Sequence, residues 1–406
     1  MKCRACDAAS TETFLDLGSS PVANALVSQH HKDQPSKKYP LHAIVCKECS
    51  LVQLSEILPR EDLFDSSYVY YSSYSTSWLD HCKSYALHMM EKLQLTKNDL
   101  VVEIASNDGY LLQYFRDLGV EVLGIEPSAG VAAVAKSKQI PTVVDFFGIV
   151  LAKTLSSNKK PRLLIGNNVL AHVPDLHDFI QGFSILVADE GVITFEFPHL
   201  QNLIRFNQFD TIYHEHYSYL SLTSLVPLFR KYGLRIFEVE KISTHGGSLR
   251  IYVARVESDW SESNSVAELL EEESQIDPRN DDVRKTLQRR VALVKEQLIG
   301  ELTTCKNEGL KVAAYGAAAK GNTLLNFCGI DSDLVQYVID LNPHKQGNYL
   351  PGSMIRVVGI GDPLIESPDV ILVLPWNLAH EIKGQLKQYS NAGSRLLRAI
   401  PNLEYF

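Results

Sequence analysis

The chain has 406 residues, 45% of them hydrophobic and 21% charged, with a formal net charge of −9. That balance supports a sizeable core in two or three domains and argues against a general affinity for nucleic acid or anionic membrane, which needs a basic surface. A local basic pocket for a phosphorylated ligand remains allowed. No run of about 18 apolar residues occurs, so no membrane span is expected. The opening residues Met1-Lys2-Cys3-Arg4 lack the apolar stretch of a signal peptide, and seven cysteines fit a reducing compartment better than a disulfide framework. The expectation is a cytoplasmic protein, a monomer or weak homo-oligomer.

Taken in order, the chain begins with two C-x-x-C knuckles, Cys3-Arg4-Ala5-Cys6 and Cys46-Lys47-Glu48-Cys49. Each knuckle sets two thiolates on one tight turn, and the pair completes a tetrahedral zinc site with no open position, hence structural. His30, His31 and His42 lie between the knuckles as weaker ligand candidates. Cys82, Cys305 and Cys328 stand alone and read as buried small hydrophobes. The zinc-binding module is expected to span residues 1–65.

A Tyr/Ser run at 68–74 precedes an amphipathic helix over 77–93, with Trp78, Cys82, Tyr85, Ala86, Met89 and Leu93 at helical spacing. Then come an apolar strand at 100–105, a tight turn Ser106-Asn107-Asp108-Gly109, a helix, and a second strand ending in Glu126. Strand, turn, helix and strand with a terminal acid make the nucleoside-binding half of a doubly wound fold. The turn is not G-x-G-x-x-G, which favours S-adenosylmethionine over a pyrophosphate-containing dinucleotide. The cofactor-binding set read from this unit is Glu103, Ala105, Asn107, Asp108, Gly109, Glu126, Asp145, Phe146 and Asn167. His172 falls at the carboxyl edge of the same sheet, where ligands bind. The methyltransferase domain is expected over 66–258.

Residues 213–219, Tyr-His-Glu-His-Tyr-Ser-Tyr, pack two imidazoles, a carboxylate and three phenols into seven positions. Proton transfer wants such groups; a polar aromatic surface turn is the bland alternative. Further on, His245-Gly246-Gly247-Ser248-Leu249-Arg250 leads into a strand. The glycines allow close backbone approach, and Arg250 is a candidate bidentate phosphate clamp. The acidic segment 260–282 reads as a solvated helix and linker.

A long helix over 283–309 opens the carboxyl-terminal domain, 259–406. It leads to a second α/β unit with strands at 311–316, 335–340, 369–374 and 396–400. A small-residue loop carrying Lys320 opens a helix whose amino terminus suits a phosphate. The triple-glycine fingerprint is missing here too. Residues 342–352 read as a lid or a loop.

Together these pieces resemble the nucleotide-sugar C-methyltransferases of deoxysugar biosynthesis, the C-3′-methyltransferase group, over nearly the whole chain. The motifs that carry the resemblance are the paired knuckles, the Tyr/Ser run, the turn 103–109, Asn168 and His172, and Tyr213-x-Glu215-His216. Residues 245–250, 315–322, 342–352 and 374–377 complete it. One departure is Ala105-Ser106, where many such enzymes carry a glycine-containing turn. The resemblance implies an α/β protein: a zinc-binding module, a class I S-adenosylmethionine-dependent methyltransferase Rossmann-like domain, and a second Rossmann-like domain, with a sugar nucleotide held among them. It implies that His216 or Tyr213 is the base, that Glu215 orients the pair, and that His172 and Tyr70 contact the sugar. Asn168, His245, Ser248, Arg250 and Lys320 are the further substrate-binding candidates. The rival readings are an NAD-dependent nucleotide-sugar oxidoreductase using the second α/β unit, and a zinc-ribbon binding module.

Overall fold

Three sheets organise the computed structural model, which describes residues 2–34, 36–58, 72–362 and 367–406. Tyr70 and most of the Tyr/Ser run lie outside the described residues. The first sheet has the order β1-β2-β3-β9, all antiparallel. β1 (Thr11–Pro21), β2 (Lys38–Cys46) and β3 (Val52–Leu54) come from the zinc module. β9 (Ser218–Tyr219) does not: it is the tail of the 213–219 stretch, paired to β3 through Val52–Tyr219 and Gln53–Ser218.

The second sheet runs β10-β11-β8-β7-β4-β5-β6. Its parallel part is β4 (Leu100–Ile104), β5 (Glu121–Ile125), β6 (Thr142–Val143), β7 (Leu163–Ile165) and β8 (Val192–Pro198). β10 (Leu234–Ile242) and β11 (Ser248–Arg255) form a hairpin that places β11 antiparallel to β8. β4 and β7 are wholly buried and, Glu103 apart, apolar, as parallel strands covered on both faces must be. Val101 faces the layer of Tyr85, Met89 and Phe115, while Val102 and Ile104 face Phe179, Ile180 and Phe183. Helix Thr76–Leu93 buries Cys82, Tyr85, Ala86, Met89 and Leu93, the face expected from its spacing. Ser75 caps it by accepting from the Trp78 N–H.

The third sheet is β14-β13-β12-β15-β16-β17. β12 (Val312–Tyr315), β13 (Tyr337–Ile339), β14 (Arg356–Val358), β15 (Val370–Val373) and β16 (Arg395–Arg398) are parallel, and β17 (Glu404–Tyr405) closes the edge antiparallel. Helix Asp281–Asn307 buries Leu287, Val291, Val294, Leu298 and Leu302 in a core shared with Phe14 and Leu41 of the zinc module and Val312 and Val370 of the third sheet. Truncating a fully buried leucine such as Leu287 to alanine costs ~2–5 kcal/mol, so this core ties the amino and carboxyl ends into one body. Val27 and Tyr349 add a two-bond bridge between them, at 2.9 and 2.8 Å, from the segment read as lid or loop. Among the described residues no helix is long and apolar enough to cross a membrane.

The acidic segment is not merely solvated. Helix Asn264–Ser274 packs on β10. Its Glu273 is 4% exposed and accepts from His199 Nε2 and from the Leu222 and Thr223 N–H groups. Those two amides are orphan donors at the start of helix Leu222–Lys231. A charge placed there caps a neighbouring helix, which composition does not reveal.

Candidate active site

The four cysteines converge. Cys3 and Cys49 sulfurs lie 3.5 Å apart, as do those of Cys6 and Cys46, and all four ligand atoms fall within 4.8 Å of one another. Zinc–thiolate bonds of ~2.3 Å set sulfurs ~3.8 Å apart around a tetrahedron, so the cluster fits structural zinc. His42 is turned to the Thr13 hydroxyl instead, at 3.0 Å. Arg4, between the first two ligands, reaches from the knuckle to the carbonyls of Leu54 and Tyr217. The metal module therefore grips the segment that carries the two histidines.

That segment, residues 213–219, is held at three further points. The Tyr217 N–H donates to the Ala171 carbonyl at 2.8 Å and the Leu54 N–H to the Tyr217 carbonyl at 3.0 Å. Tyr217 is fully buried, its hydroxyl on the Leu58 carbonyl, and His214 packs edge-on against Tyr39, so both are packing groups. His216 is different. Its Nδ1 donates to the Thr211 carbonyl at 2.9 Å, which leaves Nε2 as an acceptor, and the Tyr213 hydroxyl donates to it at 2.8 Å. The two rings lie 3.9 Å apart, and His172 stands edge-on to His216 at 4.7 Å. Desolvation pushes His216 well below the usual imidazole range, His172, Lys320 and His245 add to this, and the Thr211 carbonyl opposes it. Burial likewise lowers His172 and His245 to about 4. The cluster is neutral at pH 7, and a neutral imidazole is the form that accepts a proton.

Glu215 does not orient this pair. Its Oε2 accepts from Asn24 Nδ2 of the zinc module at 2.6 Å, and Oε1 has no partner among the described residues. Burial raises its carboxyl to about 7 against the pull of Asn24. The orienting group is the Thr211 carbonyl, which no side-chain motif announces.

The carboxyl edge of the second sheet carries most of the expected cofactor set. Ala105 and Asn107 adopt left-handed φ of 56° and 49°, so the loop keeps a tight turn without glycine at those positions, at a strain of ~1–3 kcal/mol per residue. Glu126 accepts the Asn107 and Ser128 N–H groups at 3.1 and 2.8 Å. Glu103 is fully buried and pushed well above the carboxylate range by burial, the Tyr110 hydroxyl pulling it back. Ser106 Oγ, Asn167 Oδ1 and both side-chain polar atoms of Asn168 are buried without partners among the described residues. Buried polar atoms cost free energy until something bonds them, so this row fits a polar ligand such as S-adenosylmethionine. Asp145 and Phe146 are exposed beyond β6, open to a base. Asp108 accepts Lys138 Nζ on Oδ2 at 3.1 Å, while its buried Oδ1 has no partner among the described residues and belongs with this row.

Two substrate candidates change role. Arg250 is not a free phosphate clamp. Its guanidinium meets Glu196 at 2.6 Å and Glu240 at 2.7 Å and lies 4.7 Å over the Tyr85 ring. Removing Glu196, itself fully buried, would leave the buried Arg250 charge with only the half-exposed Glu240, so this network is architectural. The Ser248 hydroxyl donates to the Thr244 carbonyl and serves its own turn. His245 and Lys320 do face the site. His245 sits at φ 54°, its ring 5.1 Å from Trp78, which stacks on His81 at 5.0 Å. Lys320 extends away from its own helix terminus, donating to Asn377 at 3.0 Å over the Trp376 ring. Desolvation lowers its ammonium, with Asp210 opposing. Asp210, Thr211, Asn24 and Trp376 carry no residue-type or spacing signal for the roles they take here.

Among the described residues, the third sheet is crowded at the corresponding place. Its switch point lies between β12 and β15. There Gly316, at φ 88°, lies so close to Pro375 that a Cβ would come within 2.4 Å of the ring. Asp340, the acid ending the second strand, is taken by the Ala317 and Asn342 N–H groups at 2.7 and 2.8 Å. The crowding at Gly316 counts against a dinucleotide at this edge and so against the oxidoreductase reading.

A seven-stranded sheet with a reversed terminal hairpin, a polar row at its carboxyl edge and a four-cysteine module define an S-adenosylmethionine-dependent methyltransferase with structural zinc. The chain belongs to the C-methyltransferase family. It is 33% identical over 401 residues to C-methyltransferase NovU of Streptomyces niveus, covering 98% of this chain and 95% of that one. Residues 3–64 match a zinc-binding-domain model, 83–239 a methyltransferase-domain model and 243–401 a C-methyltransferase carboxyl-terminal-domain model. Among solved structures, magnesium protoporphyrin IX methyltransferase of Synechocystis PCC 6803 with bound SAM is 16% identical, covering 44% of this chain and 79% of that one at a TM-score of 0.34. The glycopeptide N-methyltransferase MtfA is 12% identical, covering 43% and 95% at 0.35. Likeness at those scores carries no argument about activity.

Proposed function

We propose that the protein C-methylates a nucleotide-linked 4-keto-deoxysugar, with dTDP as the nucleotide and C-3 as the carbon. The observation that carries this reading is the His216 dyad: Nδ1 on a carbonyl, Nε2 basic and shared with the Tyr213 hydroxyl. A keto group acidifies the adjacent C–H, and His216 Nε2 removes that proton. The base could instead be Tyr213, relayed through His216. Charge developing on the keto oxygen needs donors, and His172 stands beside the base for that purpose. Tyr70 is a second donor candidate carried by the family resemblance. Lys320 supplies a half-buried cation suited to the diphosphate. His245 closes the same wall, and Asn168 offers its unpartnered amide. S-adenosylmethionine, when bound at the row of Glu103, Ser106, Glu126 and Asn167, supplies the electrophilic methyl; Asp145 and Phe146 flank its base. The zinc module, through Arg4, holds the segment that carries His216.

The test is incubation of dTDP- and GDP-4-keto-deoxysugars with methyl-labelled donor, followed by mass spectrometry. One label bound to carbon and stable to hydrolysis is expected. Incubation in deuterated water without donor should exchange the proton beside the ketone. Neither label nor exchange with any 4-keto substrate would reject the reading.

A further inference from the structure

The turn that orients His216 is gripped from the carboxyl-terminal domain. Trp376, in the short turn Trp376–Leu378 after β15, donates its indole N–H to Asp210 Oδ2 at 2.7 Å. Asp210 is fully buried, and its Oδ1 has no partner among the described residues. The indole is wedged in place. Lys320 lies 4.9 Å over one part of it, and Gly246 presses so closely that a Cβ there would come within 2.4 Å of a ring carbon.

Asp210 is the direct neighbour of Thr211 in the 3-10 turn Phe209–Thr211, and the Thr211 carbonyl takes the Nδ1 proton of His216 at 2.9 Å. Phe327 of helix Ala319–Cys328 packs edge-on against Phe209 of the same turn at 5.2 Å. The peptide whose carbonyl decides which His216 nitrogen is basic is therefore anchored, one residue away, to the carboxyl-terminal domain. A carbonyl free to rotate would let the imidazole exchange tautomers or swing, and Nε2 would then be basic only part of the time.

We propose that Asp210 and Trp376 are positioning residues for the methylation: their bond makes the docked carboxyl-terminal domain hold the turn that sets the His216 tautomer. This deepens the reading of His216 as the base and rests on it. The contact does not touch substrate; it acts through Thr211.

The experiment compares Trp376→Phe, which keeps the ring and drops only the N–H, with Asp210→Ala and Asp210→Asn. In Trp376→Phe, kcat is expected to fall roughly tenfold, with KM for the sugar nucleotide and stabilisation by S-adenosylhomocysteine unchanged. The 15N spectrum of His216, assigned by its loss in His216→Gln, should change from an Nδ1–H signature to a tautomer mixture. Asp210→Ala should match Trp376→Phe, while Asp210→Asn, which keeps an acceptor oxygen, should recover most of the rate. A folded Trp376→Phe enzyme with unchanged kcat and His216 spectrum overturns the proposal. So does raised KM at constant kcat, which would make Trp376 a substrate contact, and so does Asp210→Asn as slow as Asp210→Ala, which would make charge the cause. If the wild-type protein methylates no 4-keto sugar nucleotide, the functional reading fails, and the His216 spectra of wild type and Trp376→Phe still decide the latch.

Discussion

The second and third sheets start from the same plan, a strand, a small-residue loop, a helix and a second strand ending in an acid, and they end as opposites. At the edge of the second sheet, Ser106, Asn167 and Asn168 keep buried polar atoms without partners, ready for a ligand. At the edge of the third, Pro375 fills the space beside Gly316, while Asp340 binds two backbone N–H groups just as Glu126 does, so the crowding and not the acid separates the two edges. On the reading proposed above, one α/β unit binds the cofactor and the other serves as a wall that lends Lys320 and Trp376 to its neighbour's site. Shared topology does not carry shared function, because binding depends on polar groups left unsatisfied rather than on strand order.

The sharpest way to break this comparison is through the residue at the seam. His216→Ala should lower kcat by roughly 10³-fold while S-adenosylhomocysteine still stabilises the fold, as expected for loss of a general base. If Tyr213→Phe costs as much, the phenol and not the imidazole takes the proton.

Next in size is Glu215. Its carboxyl is raised from 4.5 to about 7 in the fold, so the folded state binds a proton that the unfolded state has released. Stability is full below pH 4.5 and is lost as pH rises toward 7, by about 3 kcal/mol at 1.36 kcal/mol per unit. Glu215→Gln should therefore melt higher than wild type at pH 8 and close to it at pH 4.5. Equal melting temperatures at both pH values would show that Glu215 is ionised in the fold. His172 and His245 work in the opposite window. Held at about 4, they stay neutral in the fold while the unfolded chain protonates near 6.5, so they cost stability as pH falls from 6.5 toward 4.

A smaller effect separates the two edges directly. Glu126→Ala should weaken S-adenosylhomocysteine binding by about 2 kcal/mol, the scale of a hydrogen bond to a charged group, read by calorimetry. Asp340→Ala should leave that affinity unchanged, and neither protein should be stabilised by NAD. Weakened binding in Asp340→Ala would mean the third sheet shares the cofactor after all.

Much of this was legible beforehand. The paired knuckles predict zinc because ligand spacing along a turn is a local property, and the four sulfurs do converge. The strand–turn–helix at 100–126 and the apolar runs of both α/β units were readable for the same reason: hydrophobic period and turn chemistry act within a few residues. Tyr213 and His216, three residues apart on one turn, could be paired on sight, and they do bond.

What the tertiary structure alone decided lies at long range. Glu215 looked like a partner for its neighbour His216, yet its bond goes to Asn24, 191 positions away. Arg250 looked like a clamp, yet β8 and β10 bring Glu196 and Glu240 to it. The 213–219 stretch was expected within the methyltransferase domain, 66–258, yet its tail is the fourth strand of the zinc module's sheet. Backbone carbonyls such as that of Thr211, and buried pairs such as Asp210 with Trp376 across 166 positions, leave no trace in residue type or spacing. Local chemistry names the candidate groups of this protein; only packing assigns their partners, because a hydrogen bond is satisfied by whatever group the fold brings within reach.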